Sequence, residues 1–430
     1  MNWLIRPSDK LRGDVHVPGD KSISHRAVMH AALAQGTSHI RGFLRAGVTE
    51  AMLRCVRDLG LTVEFDRQGT LVVDSAGLYS PAAPLDCGNS GATIRMLMGA
   101  LAGWPDVVTT LSGSAGLRRR PMKRVTEPLR LMGADIAEDT PPLVVRGQRL
   151  HGIEYTLPVA SAQVKAAILL AALQANGPTT IHEPGPSRDH SERMLRALGV
   201  SVVDHDHTVT IEPIHGPLPA FDLNVPGDIS SATFLFAAAA LALDSEVTIR
   251  EVGMNETRTG IIDALQAMRA AVTIDNCRDR GQEPVADVNI RASELHGITI
   301  SGDWVVRMID EFPMLAVMAT QAKGQTIVCD AAELRVKESD RIGTLATELR
   351  KFGAQIEERP DGFSIEGPTR LHGAVVDSHG DHRLAMSLAV AGLIADGETT
   401  VVNAEAYRES FPNFVELMQS LGTGGWFINQ

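Results

Sequence analysis

The segment PGDKSISHR (18–26) sets Lys21, Ser22, His25 and Arg26 directly behind Pro-Gly, at the mouth of an Ala-rich apolar stretch. Helix N-termini carry unpaired N–H groups and about half a positive charge, so a start of this composition suits an anion. Five more apolar stretches open in the same way. Their polar groups are Asn89, Ser90, Gly91 and Arg95; Ser161, Ala162, Gln163 and Lys165; Asp228, Ser230 and Ser231; Asp310 and Glu311; and Asp381, His382 and Arg383. Two cationic runs lie outside these starts. LRRRPMKR (117–124) holds Arg118, Arg119, Arg120, Lys123 and Arg124, and RVKESDR (335–341) interleaves Arg335, Lys337 and Arg341 with Glu338 and Asp340. Arg and Lys in this number suit small, multiply charged anions, and the few carboxylates among them suit proton transfer. Singly, each feature has a plain structural reading: a solvated charge run, a tight turn at Gly91, a core histidine at His382. Jointly they favour a binding site, because all fall at equivalent points of a repeat.

Other chemistries lack their patterns. Asp20 separates Gly19 from Lys21, which breaks the phosphate-loop motif. No GxGxxG follows a strand, and there is no GxSxG elbow. The histidine pairs in HDH (205–207) and HGDH (379–382) have no third placed ligand, so no metal is assigned. A net charge of −12 argues against nucleic-acid binding by bulk charge. Cys55, Cys87, Cys277 and Cys329 have no CxxC spacing and read as isolated reduced thiols. The N-terminal residues lack the apolar core of a signal peptide. The longest apolar run, FLFAAAALAL (234–243), has 10 residues, against the roughly 20 that span a bilayer. The expectation is a cytoplasmic protein without membrane anchor, nucleic acid, metal or cofactor.

The elements that must position these groups follow from a repeat. The six Ala-rich stretches open at Pro18, Cys87, Pro158, Pro226, Met308 and Gly380. They are apolar on nearly all sides and read as buried helices. Between them six amphipathic helices recur in step: MLRCVRDLGLTV (52–63), LRLMGADI (129–136), MLRALGVSVV (194–203), ALQAMRAAVTI (264–274), LATELRKFGAQI (345–356) and VELMQSLG (415–422). Most end at a Gly, and the first five lead into a β-branched strand. The unit is βαβαββ, repeated about every 70 residues, and a chain of 430 residues exceeds one core. Two α/β domains of three units each are predicted. VPGD occurs at 17–20 and again at 225–228, which marks two crossovers. The domains are therefore 20–227, and 1–19 plus 228–430, with a hinge at the two linkers. In RVKESDR, Ser339 or Asp340 caps a helix whose apolar face is Ile342, Leu345, Leu349 and Phe352. If the three inner helices of each domain point the same way, six N-termini face one cleft.

PGDKSISHR, GNSGATIR, RRRPM, SAQVKAA, NETRTG (255–260), DEFP, RVKESDR and GDHRLAM stand in order from about Ile5 to Phe414. Together they resemble the 5-enolpyruvylshikimate-3-phosphate (EPSP) synthase family. The resemblance implies a two-domain, inverse α/β barrel-like enolpyruvyl transferase fold with its site in the interdomain cleft. It implies transfer of the enolpyruvyl group of phosphoenolpyruvate to the 5-hydroxyl of shikimate 3-phosphate, in aromatic amino-acid biosynthesis. Cofactor and metal are not part of that reaction; glyphosate is the implied inhibitor, competing with phosphoenolpyruvate, and a monomer is the expected form. By resemblance, Lys21, Asp310 and Glu338 serve proton transfer, with Asp310 as base near the 5-hydroxyl. Lys21, Ser22, Arg26, Ser161, Ala162, Gln163, Arg188, Asp310 and Lys337 match shikimate-3-phosphate positions. Lys21, Gly91, Arg120, Gln163, Arg341 and Arg383 match phosphoenolpyruvate positions. Within the triple-Arg run only Arg120 matches; Arg118 and Arg119 read as solvated.

Three positions depart from the family pattern. Ala92 follows Gly91 where many members have Thr. Ala162 stands where many have Ser, so its contact is main-chain or absent. Glu409 stands where some have Lys, with Arg408 beside it, so no C-terminal phosphate ligand is assigned. The rival within the same architecture is UDP-N-acetylglucosamine 1-carboxyvinyltransferase. That family has Asn after the Lys where this chain has Ser22, and a loop Cys where this chain has Ala115. A non-catalytic repeat scaffold for an acidic partner is the other rival, and it has no use for Asp310 and Glu338 among the cations.

Overall fold

Ala-rich helices with no polar face are stable only away from water. In the computed structural model, which describes residues 1–8, 10–422 and 427–429, six such helices form the interior. They are α1 (Lys21–Leu33), α3 (Gly91–Ala102), α5 (Ala162–Ala172), α7 (Ile229–Leu241), α9 (Phe312–Gln321) and α11 (His382–Ile394). Every residue of α7 from Ile229 to Ala240 is buried. The six amphipathic helices alternate with them: α2 (Gly47–Asp58), α4 (Lys123–Leu131), α6 (His190–Ala197), α8 (Gly260–Ala267), α10 (Arg341–Lys351) and α12 (Phe414–Leu421). Helix α10 buries Ile342, Leu345 and Leu349, with Phe352 buried just beyond its end. Helices α2, α4, α6 and α10 are followed by Gly60, Gly133, Gly199 and Gly353, all with positive φ, the left-handed turn that glycine makes without strain. After α8 the same turn is made by Arg269, at φ 65°.

Each repeat closes a layer of one design, four-stranded except in the first, which has five strands. In the second repeat, Leu85–Asp86 runs parallel to Val108–Ser112, which pairs antiparallel with Leu143–Arg146, itself antiparallel to Asp135–Ile136. The fifth repeats that order with Thr299–Ile300, Gly324–Val328, Gly362–Gly367 and Gln355–Arg359. In the first, Leu218–Pro219 and Asp222–Asn224 both run parallel on Ala34–Arg41. In the sixth, the antiparallel partner of Thr399–Val402 is Trp3–Ile5, at the other end of the chain.

The chain divides into two compact units. One comprises Met1–Pro18, Gly227–Arg278 and Pro284–Gln430; the other comprises Gly19–Pro226 with Asp279–Glu283. We call them the outer-segment unit and the middle unit. Each has its own apolar core around its three inner helices. In the middle unit α3 and α5 pack almost backbone to backbone: a Cβ on Gly99 would lie 2.1 Å from the Ala167 carbonyl oxygen. No helix among the described residues is long and apolar enough to cross a membrane. All four cysteines are free, but they are not all isolated as the sequence suggests. Cys87 lies against Cys55, and that contact, with burial, pushes the Cys87 thiol up.

Two buried histidines of α1 make the middle unit acid-sensitive. Burial lowers His25 to about 4 and His30 to about 3. Both values lie below that of an unfolded histidine, so the unfolded chain takes up these protons first. Stability therefore falls as pH drops below about 6.5, by about 1.4 kcal/mol per pH unit for each histidine, until the folded pKa is reached. We expect His30→Leu to lower the slope of unfolding free energy against pH by about that amount between pH 6 and 4. Denaturant titrations across that range measure it, and an unchanged slope contradicts it.

Candidate active site

Five of the six inner helices start from a cap residue with a short polar side chain, while α9 starts from Glu311, which makes no side-chain cap bond. In the middle unit Asp20 caps α1 by accepting from the Ile23 N–H at 2.8 Å, Ser90 caps α3 and Ser161 caps α5. The backbone contact at Gly99 brings α3 and α5 close enough for side chains of their first turns to meet. Arg95 donates to the Gln163 side-chain oxygen across the two helices. Gly91 sits between guanidiniums: a Cβ there would lie 2.8 Å from one nitrogen of Arg95 and 3.0 Å from one of Arg120. Lys21, Ser22, Ser161, Ala162, Gln163 and Arg120 are all partly exposed around these ends, while Arg118 and Arg119 are exposed. Arg118 turns back to the Gly113 carbonyl at 2.9 Å.

Arg26 lies one turn into α1 and is buried; loss of water pulls it down to about 10. It donates to the Ser191 hydroxyl at 2.7 Å and to the Ser22 and Ala162 carbonyls at 3.0 and 3.3 Å. The Ala162 main chain thus holds Arg26. Partly exposed Arg188 precedes α6, close enough for its charge to act on Arg26. His25 is not an anion ligand. Its Nδ1 donates to the Lys21 carbonyl at 2.7 Å, its Nε2 lies 3.2 Å from the Ser90 hydroxyl and 3.3 Å from the Val48 carbonyl, and burial keeps the ring neutral. It is a neutral strut between α1 and α3. Lys165, which the sequence groups with the polar starts, faces inward to Glu183 and Glu192, both at 2.6 Å.

The outer-segment unit gathers a charge cluster around Arg341, the first residue of α10. Asp340, rather than Ser339, caps that helix, accepting from the Gly343 N–H at 3.1 Å. Arg341 is 1% exposed and serves three carboxylates: Asp381 at 2.8 Å, Glu338 at 2.8 Å and Asp310 at 3.3 Å. Burial alone would lower it, but the carboxylates raise it above the ordinary guanidinium value. Burial would likewise raise Asp381; Arg341 outweighs this and holds it below the usual carboxylate range. Arg383, in the first turn of α11, places one nitrogen 3.6 Å from Asp310 and another 3.9 Å from Glu311. Asp310 thus lies against two guanidiniums. Lys337, partly exposed, follows the 3-10 turn Ala332–Val336. The sequence groups Glu311 with the polar helix starts and gives Arg258 no role of its own. Arg258 donates to Asp228 at 3.2 Å and Ser230 at 2.8 Å, and Ser230 bonds to Glu311, which ties α7 to α9. Arg408 lies over the Tyr407 ring, 5.7 Å from its centre.

Residues 5–418 match the model of the EPSP synthase (3-phosphoshikimate 1-carboxyvinyltransferase) family. The chain belongs to the EPSP synthase family. It is 48% identical over 429 residues to the 3-phosphoshikimate 1-carboxyvinyltransferase of Thermodesulfovibrio yellowstonii, covering 98% of this chain and 100% of that one. It is 50% identical over 423 residues to that of Brevibacillus brevis, with 96% and 98% covered. The EPSP synthase structure from Acinetobacter baumannii superposes with a TM-score of 0.88 at 41% identity, over the whole of both chains. The enolpyruvyl transferase NikO from Streptomyces tendae, at 20% identity, covers 98% of this chain and 97% of that one with a TM-score of 0.80, and shares the fold. The matches name the EPSP synthase family, and none of them favours the UDP-N-acetylglucosamine rival. Membership makes the chain a transferase of the shikimate pathway. Its departure at Ala92 sits partly buried against the apolar core of the middle unit.

Proposed function

We infer that the chain moves the enolpyruvyl group of phosphoenolpyruvate to the 5-hydroxyl of shikimate 3-phosphate and releases phosphate. The observation that carries this reading at residue level is Asp310, a carboxylate set against Arg341 and Arg383 in the first turns of α10 and α11. A site for anions alone has no use for a carboxylate there. In the proposed reaction the 5-hydroxyl oxygen attacks C2 of phosphoenolpyruvate while C3 gains a proton. The tetrahedral intermediate then loses phosphate from C2 and a proton from C3. One group must take the hydroxyl proton, and another must give and later retrieve the C3 proton.

Asp310 is the proposed base for the 5-hydroxyl. Glu338 and Lys21 serve the C3 proton and the departing phosphate. The carboxylate and phosphate of phosphoenolpyruvate are assigned to Lys21, Gly91, Arg120, Gln163, Arg341 and Arg383, since a guanidinium fork matches both groups. As they engage Arg341 and Arg383, those cations are drawn from Asp310, which is left to accept a proton. Shikimate 3-phosphate is assigned to Lys21, Ser22, Arg26, Ser161, Ala162, Gln163, Arg188, Asp310 and Lys337. These residues come from both units, so we propose that 20–227 and 1–19 plus 228–430 act as two lobes whose hinge closes on the substrates. Glyphosate is assigned to the phosphoenolpyruvate subsite. A monomeric cytoplasmic enzyme is the proposed form, in keeping with its four free thiols.

The test is phosphate release from phosphoenolpyruvate, measured with shikimate 3-phosphate and, separately, with UDP-N-acetylglucosamine. Release with the first acceptor alone supports the reading; release with the second alone overturns it.

A further inference from the structure

A buried guanidinium must have its donors taken up by neighbours. Among the described residues no carboxylate bonds to Arg26; its acceptors are one hydroxyl and two carbonyls. The Ser22 bond lies within α1 and turns with it, and the Ala162 bond is long at 3.3 Å. The short bond, 2.7 Å to the Ser191 hydroxyl, comes from a different helix and fixes the plane of the guanidinium from outside.

Ser191 is itself held in place. Its neighbour Glu192 bonds to Lys165 at 2.6 Å, and Lys165 bonds to Glu183 at 2.6 Å. The three side chains are 2%, 4% and 1% exposed for Lys165, Glu183 and Glu192. A buried charge cluster of this kind resists displacement, because parting any member leaves an uncompensated charge. It clamps the first turn of α6 to α5 and to the end of the strand Thr179–His182. The negative charge of Glu192 also favours the charged form of Arg26, offsetting the burial that opposes it.

We propose that Ser191 is a positioning residue for shikimate 3-phosphate: it aims Arg26, and the Lys165–Glu183–Glu192 cluster fixes Ser191. The proposal rests on the assignment of Arg26 to that substrate. The cluster is a lysine–carboxylate clamp built behind the binding surface, whose role is to hold the geometry of a group in front of it.

The test compares Ser191→Ala, Ser191→Thr and Arg26→Lys by steady-state kinetics, with melting temperatures recorded for each. Losing a hydrogen bond to a charged group is expected to raise KM for shikimate 3-phosphate about tenfold in Ser191→Ala. KM for phosphoenolpyruvate and the melting temperature are expected to stay near the parent values. Ser191→Thr keeps the hydroxyl and is expected to restore most of the loss. Arg26→Lys reports on the underlying assignment. If it raises KM for shikimate 3-phosphate while Ser191→Ala does not, the positioning role is overturned and the assignment stands. If Arg26→Lys leaves that KM unchanged, the assignment falls and the positioning role falls with it. A rise in both KM values in Ser191→Ala, with a lowered melting temperature, overturns the proposal in favour of a purely structural hydroxyl.

Discussion

Asp310→Asn is expected to lower kcat by about 10²- to 10⁴-fold, the range that a positioned general base contributes, while the fold and both substrate sites persist. The substitution keeps the shape of the side chain and removes its charge and basicity. Arg341 retains two of its three carboxylates, Asp381 and Glu338, each at 2.8 Å, so its position survives. Arg383, 3.6 Å from Asp310 in the parent, loses a competing anion. KM for phosphoenolpyruvate is therefore expected to stay level or fall while kcat collapses. That split separates loss of a base from loss of binding. A kcat within about tenfold of the parent would move the base role to another group.

Arg341→Met is expected to cost about 3–5 kcal/mol of stability at neutral pH, the penalty for removing one member of a buried ion pair. Arg341 is 1% exposed and Asp381 0%, so the methionine leaves Asp381 buried without its cation. The pH dependence gives the sign. In the parent, Arg341 holds Asp381 below the usual carboxylate range. The resulting stabilisation is present above the unfolded pKa of about 4 and is lost as pH falls through the folded value. In the variant, Asp381 protonates readily, and a protonated acid is cheaper to bury. The deficit relative to the parent is therefore expected to shrink as pH falls from 7 towards 4. Denaturant titrations at both pH values measure it. A deficit below about 1 kcal/mol at pH 7, or one that does not change with pH, contradicts the account.

Much of this architecture is legible in the sequence because it rests on local rules. Six all-apolar stretches must be buried, and a short polar residue caps five of them. The glycines after the amphipathic helices must turn the chain, and even the repeat that lacks one keeps the turn at Arg269. What stays hidden is long-range. Nothing near Lys165 in the chain reveals that it faces Glu183 and Glu192 rather than solvent. The spacing of RVKESDR shows Arg341 among acids, but its strongest buried partner, Asp381, stands forty residues away. The bond from Arg95 to Gln163 depends on the absence of a side chain at Gly99, where two helix backbones touch. His25 reads as an anion ligand by type; only its burial, among the Lys21 and Val48 carbonyls and the Ser90 hydroxyl, marks it as neutral. The contact between Cys55 and Cys87 has no sequence signature at all.

Arg120 and Arg383 are both proposed to hold phosphoenolpyruvate. The most direct measurement is calorimetric titration of phosphoenolpyruvate, with shikimate 3-phosphate present, into the parent, Arg120→Ala and Arg383→Ala, one from each unit. Each variant is expected to weaken binding about tenfold or more, as for a lost guanidinium–anion contact. Weakened binding in one variant, with parental affinity in the other, would contradict it.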